Sequence, residues 1–462
     1  MDKLIITSAD GHAVIPPEKW PDYLEPKFHK YLQRLEEDRE MFSGNMARLG
    51  GLRVTDEQQK IFDKDKNFIS GQWGIWNHDI RLKEMDREGI SAEFVFPGDF
   101  RAIDLFWNTT NATYALPALD AGARGFNRWC SDEFGRSKDR MLMIGAPLVG
   151  IDRQAVLDEA EFLADKGFTG VFTPGYCAVP TQIPVFESYW DPVFASYAEK
   201  GLTLITHAGY GMPQGYMHAE VEAAASKVRA AGGGEKEMIT ELLTGVFNDH
   251  GVFSDLRSRQ SLWIFILSGI FDRHPKLKVM LTEVRGDWVP DVLKLVDAYW
   301  EKNRDKLPNK RRPSEYWGDQ IIAGLSFMKR SEVEHRHEIG VSSMAFGRDY
   351  PHTEATWPNT VEYFSDIFRG VPETEVKAIL GENMVRFLGL DRDHLQAIAN
   401  RINAPTYQQI AERGPMSEAM VKHLSLRCGY SDDWEGSRRL GELEAMLKVD
   451  IPRLQAAASV FA

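Results

Sequence analysis

The feature that most constrains the fold is a regular alternation of short apolar, β-rich runs with helical segments. The β-rich runs cover residues 3–14, 91–98, 141–148, 167–175, 201–209, 277–286, 320–327 and 342–352. The helical segments follow at 77–89, 118–137, 152–167, 186–201, 258–275, 288–306, 331–340 and 360–370. Strict alternation predicts an α/β protein with a parallel sheet covered by helices. Eight repeats predict a closed (β/α)8 TIM barrel rather than an open sheet.

Glycines punctuate this alternation. Gly89, Gly167, Gly201 and Gly340 each end a helical segment just before a β-rich run. A glycine at that position stops a helix readily because it adopts the left-handed conformation without steric cost. The pattern therefore predicts short connections from helix to strand.

Two insertions and a tail make the predicted barrel a distorted one. Residues 15–76 separate strand 1 from helix 1, and residues 210–257 separate strand 5 from helix 5. Both insertions follow strands, so we expect them over the C-terminal mouth, where such barrels keep their active sites. We assign 1–390 to the barrel and 391–462 to a helical C-terminal extension, through which we expect a homodimer to form.

The composition limits the partners. A formal net charge of −13 and a pI near 5.5 argue against a nucleic-acid or an anionic membrane partner. The longest apolar stretch, 262–271, is too short to span a bilayer, and the N-terminus enters a strand without a signal-peptide pattern. We therefore expect a cytoplasmic protein that acts on a small molecule.

Polar side chains cluster at the predicted strand ends. Asp10 and His12 end strand 1, His207 ends strand 5, Glu283 lies late in strand 6, and Asp349 ends strand 8. Any one of them could be a cap or a satisfied hydrogen-bonding group, but five of these types at one end of a barrel predict a site. Two histidines and two carboxylates form a ligand set for a divalent ion. We predict Zn²⁺, with Mn²⁺ or Fe²⁺ as alternatives.

Several motifs carry a family resemblance. They are DGH at 10–12, THAG at 206–209, FDRHPKLKVMLTE at 271–283, FGRDYPHTEATWP at 346–358 and GENMVRFLGL at 381–390. Over residues 3–390 the chain resembles the amidohydrolase superfamily, in the branch that includes aminocarboxymuconate semialdehyde decarboxylase and resorcylate decarboxylase.

The resemblance implies a mononuclear metal site. Its strand-1 motif corresponds to Asp10-Gly-His12, its strand-5 ligand to His207 and its strand-8 aspartate to Asp349. Two positions depart from the family pattern. Glu283 stands where the decarboxylases and many hydrolases have a histidine near the metal.

The second departure is in strand 8. Arg348 replaces the serine of the family's GSDYPH sequence. His352 matches the histidine of that sequence, and we expect it to orient the strand-8 loop beside the metal ligands.

These residues suit hydrolysis. Asp349 would take a proton from a metal-activated water and return it to the leaving group, while Glu283 would share this work or complete the coordination. We expect an amide, a lactone or an activated C–C bond as the target. The alternative is non-oxidative decarboxylation of an aromatic or muconate-type acid, and a third reading is an inactive metal-binding barrel.

Other residues at the mouth are candidates for substrate binding. Arg285 and Arg348 could hold a substrate carboxylate through a bidentate contact, or each could form an ion pair within the protein. Trp73, Trp76 and Phe96 could form an apolar wall for an aromatic or cyclic substrate, or could pack in the core.

Overall fold

The computed structural model describes residues 2–37, 40, 71–98, 114–148, 152–173, 183–208, 225–234, 237, 256–352, 355–428 and 439–458. Nine strand segments in this part of the chain form one parallel sheet. They are β1 (Thr7–Ser8), β2 (His12–Ala13), β3 (Ala92–Pro97), β4 (Met141–Gly145), β5 (Gly170–Phe172), β6 (Thr203–His207), β7 (Val279–Thr282), β8 (Ile321–Ser326) and β9 (Met344–Gly347). Each lies within a predicted β-rich run, so the predicted (β/α)8 barrel is confirmed.

The first and last strands meet and complete the ring. The sheet order is β1-β3-β4-β5-β6-β7-β8-β9, with β2 also paired to β3. The Ala9 amide donates to the Phe346 carbonyl (2.8 Å), and the His12 amide donates to the Tyr350 carbonyl (2.7 Å). The predicted first strand is split into β1 and β2, and between them the Ser8 hydroxyl donates to the Asp10 carbonyl (2.7 Å).

Helices alternate with the strands. A helix follows each of the eight barrel strands, where β1 and β2 together count as the first strand. In chain order these helices are His78–Arg87, Leu116–Phe134, Arg153–Lys166, Asp191–Lys200, Leu256–Leu267 with Ile270–Arg273, Val289–Asn303, Arg330–Glu334 with Arg336–Ile339, and Thr360–Ile367. The predicted glycine stops are present, with φ of +78° at Gly167 and +69° at Gly201. Only a residue without a Cβ adopts this left-handed conformation freely.

Side-chain alternation along the strands builds two apolar layers. Phe94 and Phe96 of β3 belong to a cluster inside the barrel, whereas Val95 between them belongs to the larger cluster under the helices. This follows from the two-residue period of a strand, which sends successive side chains to opposite faces. The mouth at the carboxyl ends of the strands is left to polar residues.

The C-terminal region is helical and begins by closing the base of the barrel. Its helices include Glu373–Lys377, Asn383–Leu388, Arg392–Arg401, Tyr407–Ala411, Glu418–Cys428 and Leu440–Ala458. Leu395 and Ile398 join the apolar cluster inside the barrel, and the Leu4 amide donates to the Pro405 carbonyl (3.0 Å). The division of the chain at residue 390 stays a prediction.

The last helix is attached to the barrel through a buried carboxylate. Asp450 accepts hydrogen bonds from the Trp263 indole (2.9 Å) and from the Gln260 amide (2.6 Å), both on helix Leu256–Leu267. None of the described helices combines the length and the hydropathy that a membrane span requires.

The two predicted insertions are described unequally. Most of 210–257 lies outside the described residues. In 15–76, a short helix (Trp20–Tyr23) and a 3-10 turn (Gln72–Ile75) are described. The Val14 amide donates to the Ile75 carbonyl (3.3 Å), so the end of this insertion lies beside β2 at the mouth.

Candidate metal centre

Asp10 and His12 lie together at the end of the first strand. Both side chains are buried, and Asp10 Oδ1 lies 3.4 Å from His12 Nε2. The other carboxylate oxygen, Oδ2, accepts a hydrogen bond from the Ser326 hydroxyl at the end of β8. Asp10 is therefore held by one oxygen while its second oxygen faces the histidines.

His207 ends β6 with one ring nitrogen already engaged. Its Nδ1 lies 2.5 Å from the Ala208 carbonyl oxygen, which can only accept, so we assign the ring hydrogen to Nδ1. The Nε2 atom faces Asp10 Oδ1 at 3.8 Å and Glu283 Oε2 at 3.2 Å. A neutral imidazole fixed through its other nitrogen is the usual form of a metal-ligating histidine.

Asp349 and His352 complete the group from the opposite side. Asp349 Oδ1 lies 2.9 Å from His12 Nε2 and 2.9 Å from His352 Nδ1. The His352 ring stacks on the His12 ring with centroids 3.9 Å apart. His352 therefore lies within the cluster itself rather than only behind it.

Two of the carboxylates follow strands in an unusual backbone conformation. Glu283 after β7 has φ of +51°, and Asp349 after β9 has φ of +55°. Non-glycine residues rarely adopt this left-handed conformation, and it occurs preferentially at functional sites. Both side chains are buried.

A divalent ion fits these residues. Asp10, His12 and His207 offer ligand atoms that all lie within 4.8 Å of one another, and His12, Asp349 and His352 do the same. Among the described residues, no hydrogen bond of acceptable geometry reaches Asp10 Oδ1 or His12 Nε2, although both atoms are buried. Buried polar atoms normally have partners, so such a gathering of acceptors suits a cation.

The charge states also suit a cation. Burial alone would raise the pKa of Asp10, but the nearby His12 and His207 outweigh it, so this pKa lies below its ordinary value. Burial, together with the charge that His352 would carry, lowers the pKa of His12 well below its ordinary value. An ionised aspartate and a neutral histidine are the forms that bind metals.

Phe96 packs directly against both histidines. Its ring meets the His12 ring at 4.8 Å and the His207 ring at 5.1 Å, edge to face in each case. This contact orients the two imidazoles from inside the barrel. Whether Phe96 also contacts a substrate stays a prediction.

The tryptophans predicted to form an apolar wall lie together beside β2. The rings of Trp73 and Trp76 are 5.1 Å apart, and Trp76 packs on Val14 and Ile75. Trp73 is 45% exposed. Their role toward a substrate stays a prediction.

The two candidate arginines differ. Arg285 contacts the buried Asp287, and its predicted contact with a substrate is untested. The position of Arg348 does not support the predicted contact with a substrate carboxylate. Its fully buried guanidinium binds Glu93 through Nε and Glu88 through Nη1 (3.2 Å). Burial alone would lower the pKa of Arg348, but these carboxylates outweigh it and raise the pKa, so the group stays charged.

Sequence reasoning missed three residues around the cluster. Ser326 ends a strand, as the predicted site residues do, so its strand-end position could have identified it. Glu93 is a charge within the apolar run AEFVFP, and Arg81 lies on the buried face of helix His78–Arg87. A charge among core residues indicates a buried partner, but the sequence does not name that partner.

Comparisons with known proteins identify the family and the fold. A family model described as amidohydrolase matches residues 9–390. A comparison with curated proteins finds no significant match. Similar solved structures include an amidohydrolase from Mycobacterium avium subsp. paratuberculosis, 18% identical with a TM-score of 0.56, over 84% of this chain and 99% of that one.

Two further structures are decarboxylases. The 2,6-dihydroxybenzoate decarboxylase from Rhizobium is 18% identical with a TM-score of 0.53, over 85% of this chain and 100% of that one. The 5-carboxyvanillate decarboxylase from Novosphingobium aromaticivorans, solved with bound manganese and 3-methoxy-4-hydroxy-5-nitrobenzoic acid, is 14% identical with a TM-score of 0.54, over 84% and 97%. These likenesses confirm the fold. Since the family model spans most of the chain, this protein belongs to the amidohydrolase family.

Proposed function

We propose that this protein is a metal-dependent hydrolase that acts on a small, cyclic or aromatic, carboxylate-bearing substrate. The observation that carries the proposal is the position of Glu283, whose Oε2 lies 3.2 Å from His207 Nε2 within the candidate ligand cluster. The cluster thus brings three carboxylates, Asp10, Glu283 and Asp349, together with the histidines His12, His207 and His352 at one barrel mouth. Such a set favours removing protons from water over supplying a cationic acid.

Asp10, His12, His207 and Asp349 would hold the metal. When bound, a divalent ion supplies Lewis acidity and lowers the pKa of a water molecule to about 7. The protein residues then handle the proton. Asp349 would accept it at a carboxylate oxygen and return it to the leaving group, and His352 Nδ1, 2.9 Å away, would hold that carboxylate in place.

Glu283 has two compatible roles in this scheme. Its carboxylate can act as a second base, or it can complete the ligand set beside His207. Either role uses the left-handed backbone at Glu283, which places the side chain among the ligands. A histidine at this position would bring a group that can be cationic, which a carboxylate cannot be.

The second candidate function is non-oxidative decarboxylation. It is favoured by the aromatic ring of Phe96 beside both histidines and by the similar structures named as decarboxylases of hydroxylated benzoates. In this reading Asp349 would protonate the ring carbon as CO₂ leaves. Glu283 would then lie beside the substrate's reacting carboxylate and repel it, which is why we place this reading second.

The metal is proposed as Zn²⁺, with Mn²⁺ or Fe²⁺ as alternatives, because two nitrogens and two oxygens accept all three ions. At least two similar decarboxylase structures hold manganese. Metal analysis of the purified protein, followed by titration of the metal-free protein with Zn²⁺ and with Mn²⁺, tests this part directly.

The reaction is tested with a panel of lactones, cyclic amides and hydroxybenzoates in ¹⁸O-labelled water. We expect one oxygen atom of the solvent in a carboxylic acid product and no CO₂. Release of CO₂ without label in the product would instead support decarboxylation. A protein that binds metal but converts no member of a broad panel would support the inactive barrel.

Substitution of Glu283 by glutamine separates its role from that of its neighbours. Glu283→Gln keeps the shape and removes the charge, so the rate should fall by about 10²-fold or more if the carboxylate is a base. Glu159→Gln is the matched control, because Glu159 is buried under the helices, where it accepts hydrogen bonds from Asn127 and Arg128. Near-normal turnover and metal content in Glu283→Gln would leave the proton transfer to Asp349 alone.

A further inference from the structure

Beneath the candidate metal centre lies a group of buried charges that the proposed chemistry does not use. Glu93 points from β3 toward helix His78–Arg87, on the same face of the strand as the core residue Val95. Arg81, Glu93 and Arg348 are all fully buried. Charges are rarely buried unless they are paired, so their partners show what they hold in place.

Glu93 links the two arginines. Its Oε1 accepts from Arg81 Nη2 (2.6 Å), and its Oε2 accepts from Arg348 Nε. Arg348 Nη1 also donates to Glu88 (3.2 Å). Two guanidinium groups therefore face two carboxylates, and the group is balanced in charge.

Arg81 reaches the main chain of a proposed metal ligand. Its Nη1 donates to the His12 carbonyl (2.5 Å), and its Nη2 also donates to the Phe94 carbonyl (3.1 Å). The planar guanidinium thus holds the first strand and β3 at a fixed separation, just below the imidazole of His12. A charge-assisted bond to a carbonyl is stronger than a neutral one.

Arg348 reaches the other side of the site. It directly precedes Asp349, and its amide donates to the Ser8 hydroxyl (3.0 Å), which in turn donates to the Asp10 carbonyl (2.7 Å). Its guanidinium lies 4.6 Å from the centre of the Tyr350 ring. Through Arg348, Glu93 is therefore linked both to Asp349, the next residue, and to the first strand.

Gly11 shows how tightly this group packs against the ligands. A Cβ at Gly11 would lie 2.5 Å from Arg81 Nη2 and 2.9 Å from Glu93 Cδ. The ion pair therefore occupies the space beside the residue between Asp10 and His12. This explains why the residue between the two proposed ligands has no side chain.

We propose that Arg81, Glu93 and Arg348 form a positioning network that sets the geometry of Asp10, His12 and Asp349 for metal binding. None of the three touches the candidate ligand atoms; they act through the main chain. The inference rests on the proposed metal site. In this proposal, Arg348, which replaces the serine of the family's sequence, serves the network rather than substrate recognition.

Arg81→Lys is the most direct test. Lysine keeps the charge that faces Glu93 but cannot bind two carbonyls and a carboxylate as a planar fork. Arg140→Lys is the matched control, since Arg140 is also buried and binds the carbonyls of Ser91 (3.0 Å) and Ile90 (2.8 Å) and the carboxylate of Asp86 (2.6 Å). Those contacts lie at the start of β3, whereas His12 pairs with Phe96 near its end.

The readouts are Mn²⁺ affinity by calorimetric titration, the electron paramagnetic resonance spectrum of bound Mn²⁺, and the unfolding temperature of the metal-free protein. We expect Arg81→Lys to weaken Mn²⁺ binding by about tenfold or more, the scale of substitutions behind metal ligands, and to change the spectrum. Arg140→Lys should lower the unfolding temperature of the metal-free protein by about as much as Arg81→Lys does, and it should leave Mn²⁺ binding unchanged.

Unchanged Mn²⁺ affinity and spectrum in Arg81→Lys would overturn the proposal and show a purely structural role. If Arg81→Lys does not fold, Arg348→Lys gives the same test, because it keeps the charge facing Glu93 but cannot also reach Glu88. Loss of folding in both, with Arg140→Lys folded, would also overturn the proposal. Failure of the proposed metal site itself is recognised separately, because the unsubstituted protein would then bind no Mn²⁺.

Discussion

Gly11→Ala is the smallest change that should disturb the candidate metal centre. The added Cβ would lie 2.5 Å from Arg81 Nη2, 2.7 Å from the Phe94 carbonyl oxygen and 2.9 Å from Glu93 Cδ. The Phe94 carbonyl is strand backbone and cannot move alone. Arg81 cannot withdraw without losing its bond to the His12 carbonyl. The structure therefore has to shift where two proposed ligands meet.

The cost follows from these contacts. Overpacking a core position by one carbon costs about 1–3 kcal/mol, and a lost charge-assisted hydrogen bond from Arg81 costs about 1.5–3 kcal/mol. The reduced freedom of the unfolded chain returns only about 0.4–1 kcal/mol. We therefore expect Gly11→Ala to lower the free energy of unfolding by roughly 3 kcal/mol.

Urea unfolding of the metal-free protein measures this cost, and titration with Zn²⁺ and Mn²⁺ measures the effect on the site. Gly135→Ala is the matched control, because its Cβ would meet nothing nearer than 3.8 Å and its φ of −61° suits alanine. We expect the control to unfold at the same urea concentration as the parent or slightly higher. Equal stability and equal metal affinity for Gly11→Ala and Gly135→Ala would refute the packing described here.

Two further substitutions test the site and the tail. His207→Ala should reduce metal affinity by more than the roughly 10–100-fold seen for residues behind metal ligands. Circular dichroism should still show a folded barrel. Full metal occupancy in this variant would remove His207 from the ligand set. Asp450→Ala leaves the buried Trp263 indole and the half-buried Gln260 amide without their carboxylate, so it should cost about 1–3 kcal/mol in urea unfolding and expose the last helix to limited proteolysis. Unaltered proteolysis would show that apolar packing alone holds that helix.

The barrel could be predicted from the sequence because its signals are local. Each β-rich run is short and apolar, each is followed by a helical segment, and glycines such as Gly167 and Gly201 mark the turns between them. The strand-end positions of His207 and Asp349 could be predicted for the same reason, since a parallel barrel brings all carboxyl ends of its strands to one mouth.

Details that depend on distant partners could not be predicted. The match to the family's GSDYPH sequence predicts that His352 orients the strand-8 loop, but it does not show that the His352 ring stacks on His12 of the first strand. Ser326 holds Asp10 across a similar distance in sequence. A strand-end pattern shows that such residues share the mouth without showing which of them are in contact.

Arg348 is the sharpest example of this limit. Its position after β9 is typical of a residue that faces the mouth, and a positive charge there suggests an anionic substrate. The structure turns the side chain the other way, toward Glu93, which precedes it by 255 residues, and Glu88. Glu93 was visible in the sequence as a charge within a buried, apolar strand, whereas Glu88 lies at the end of a polar helical segment and gave no such signal. Because a buried charge is rarely stable without a partner, an acidic residue within β3 and an arginine directly after β9 are complementary observations. Reading them together would favour placing Arg348 in the protein interior, which leaves Arg285 as the arginine predicted to contact a substrate carboxylate.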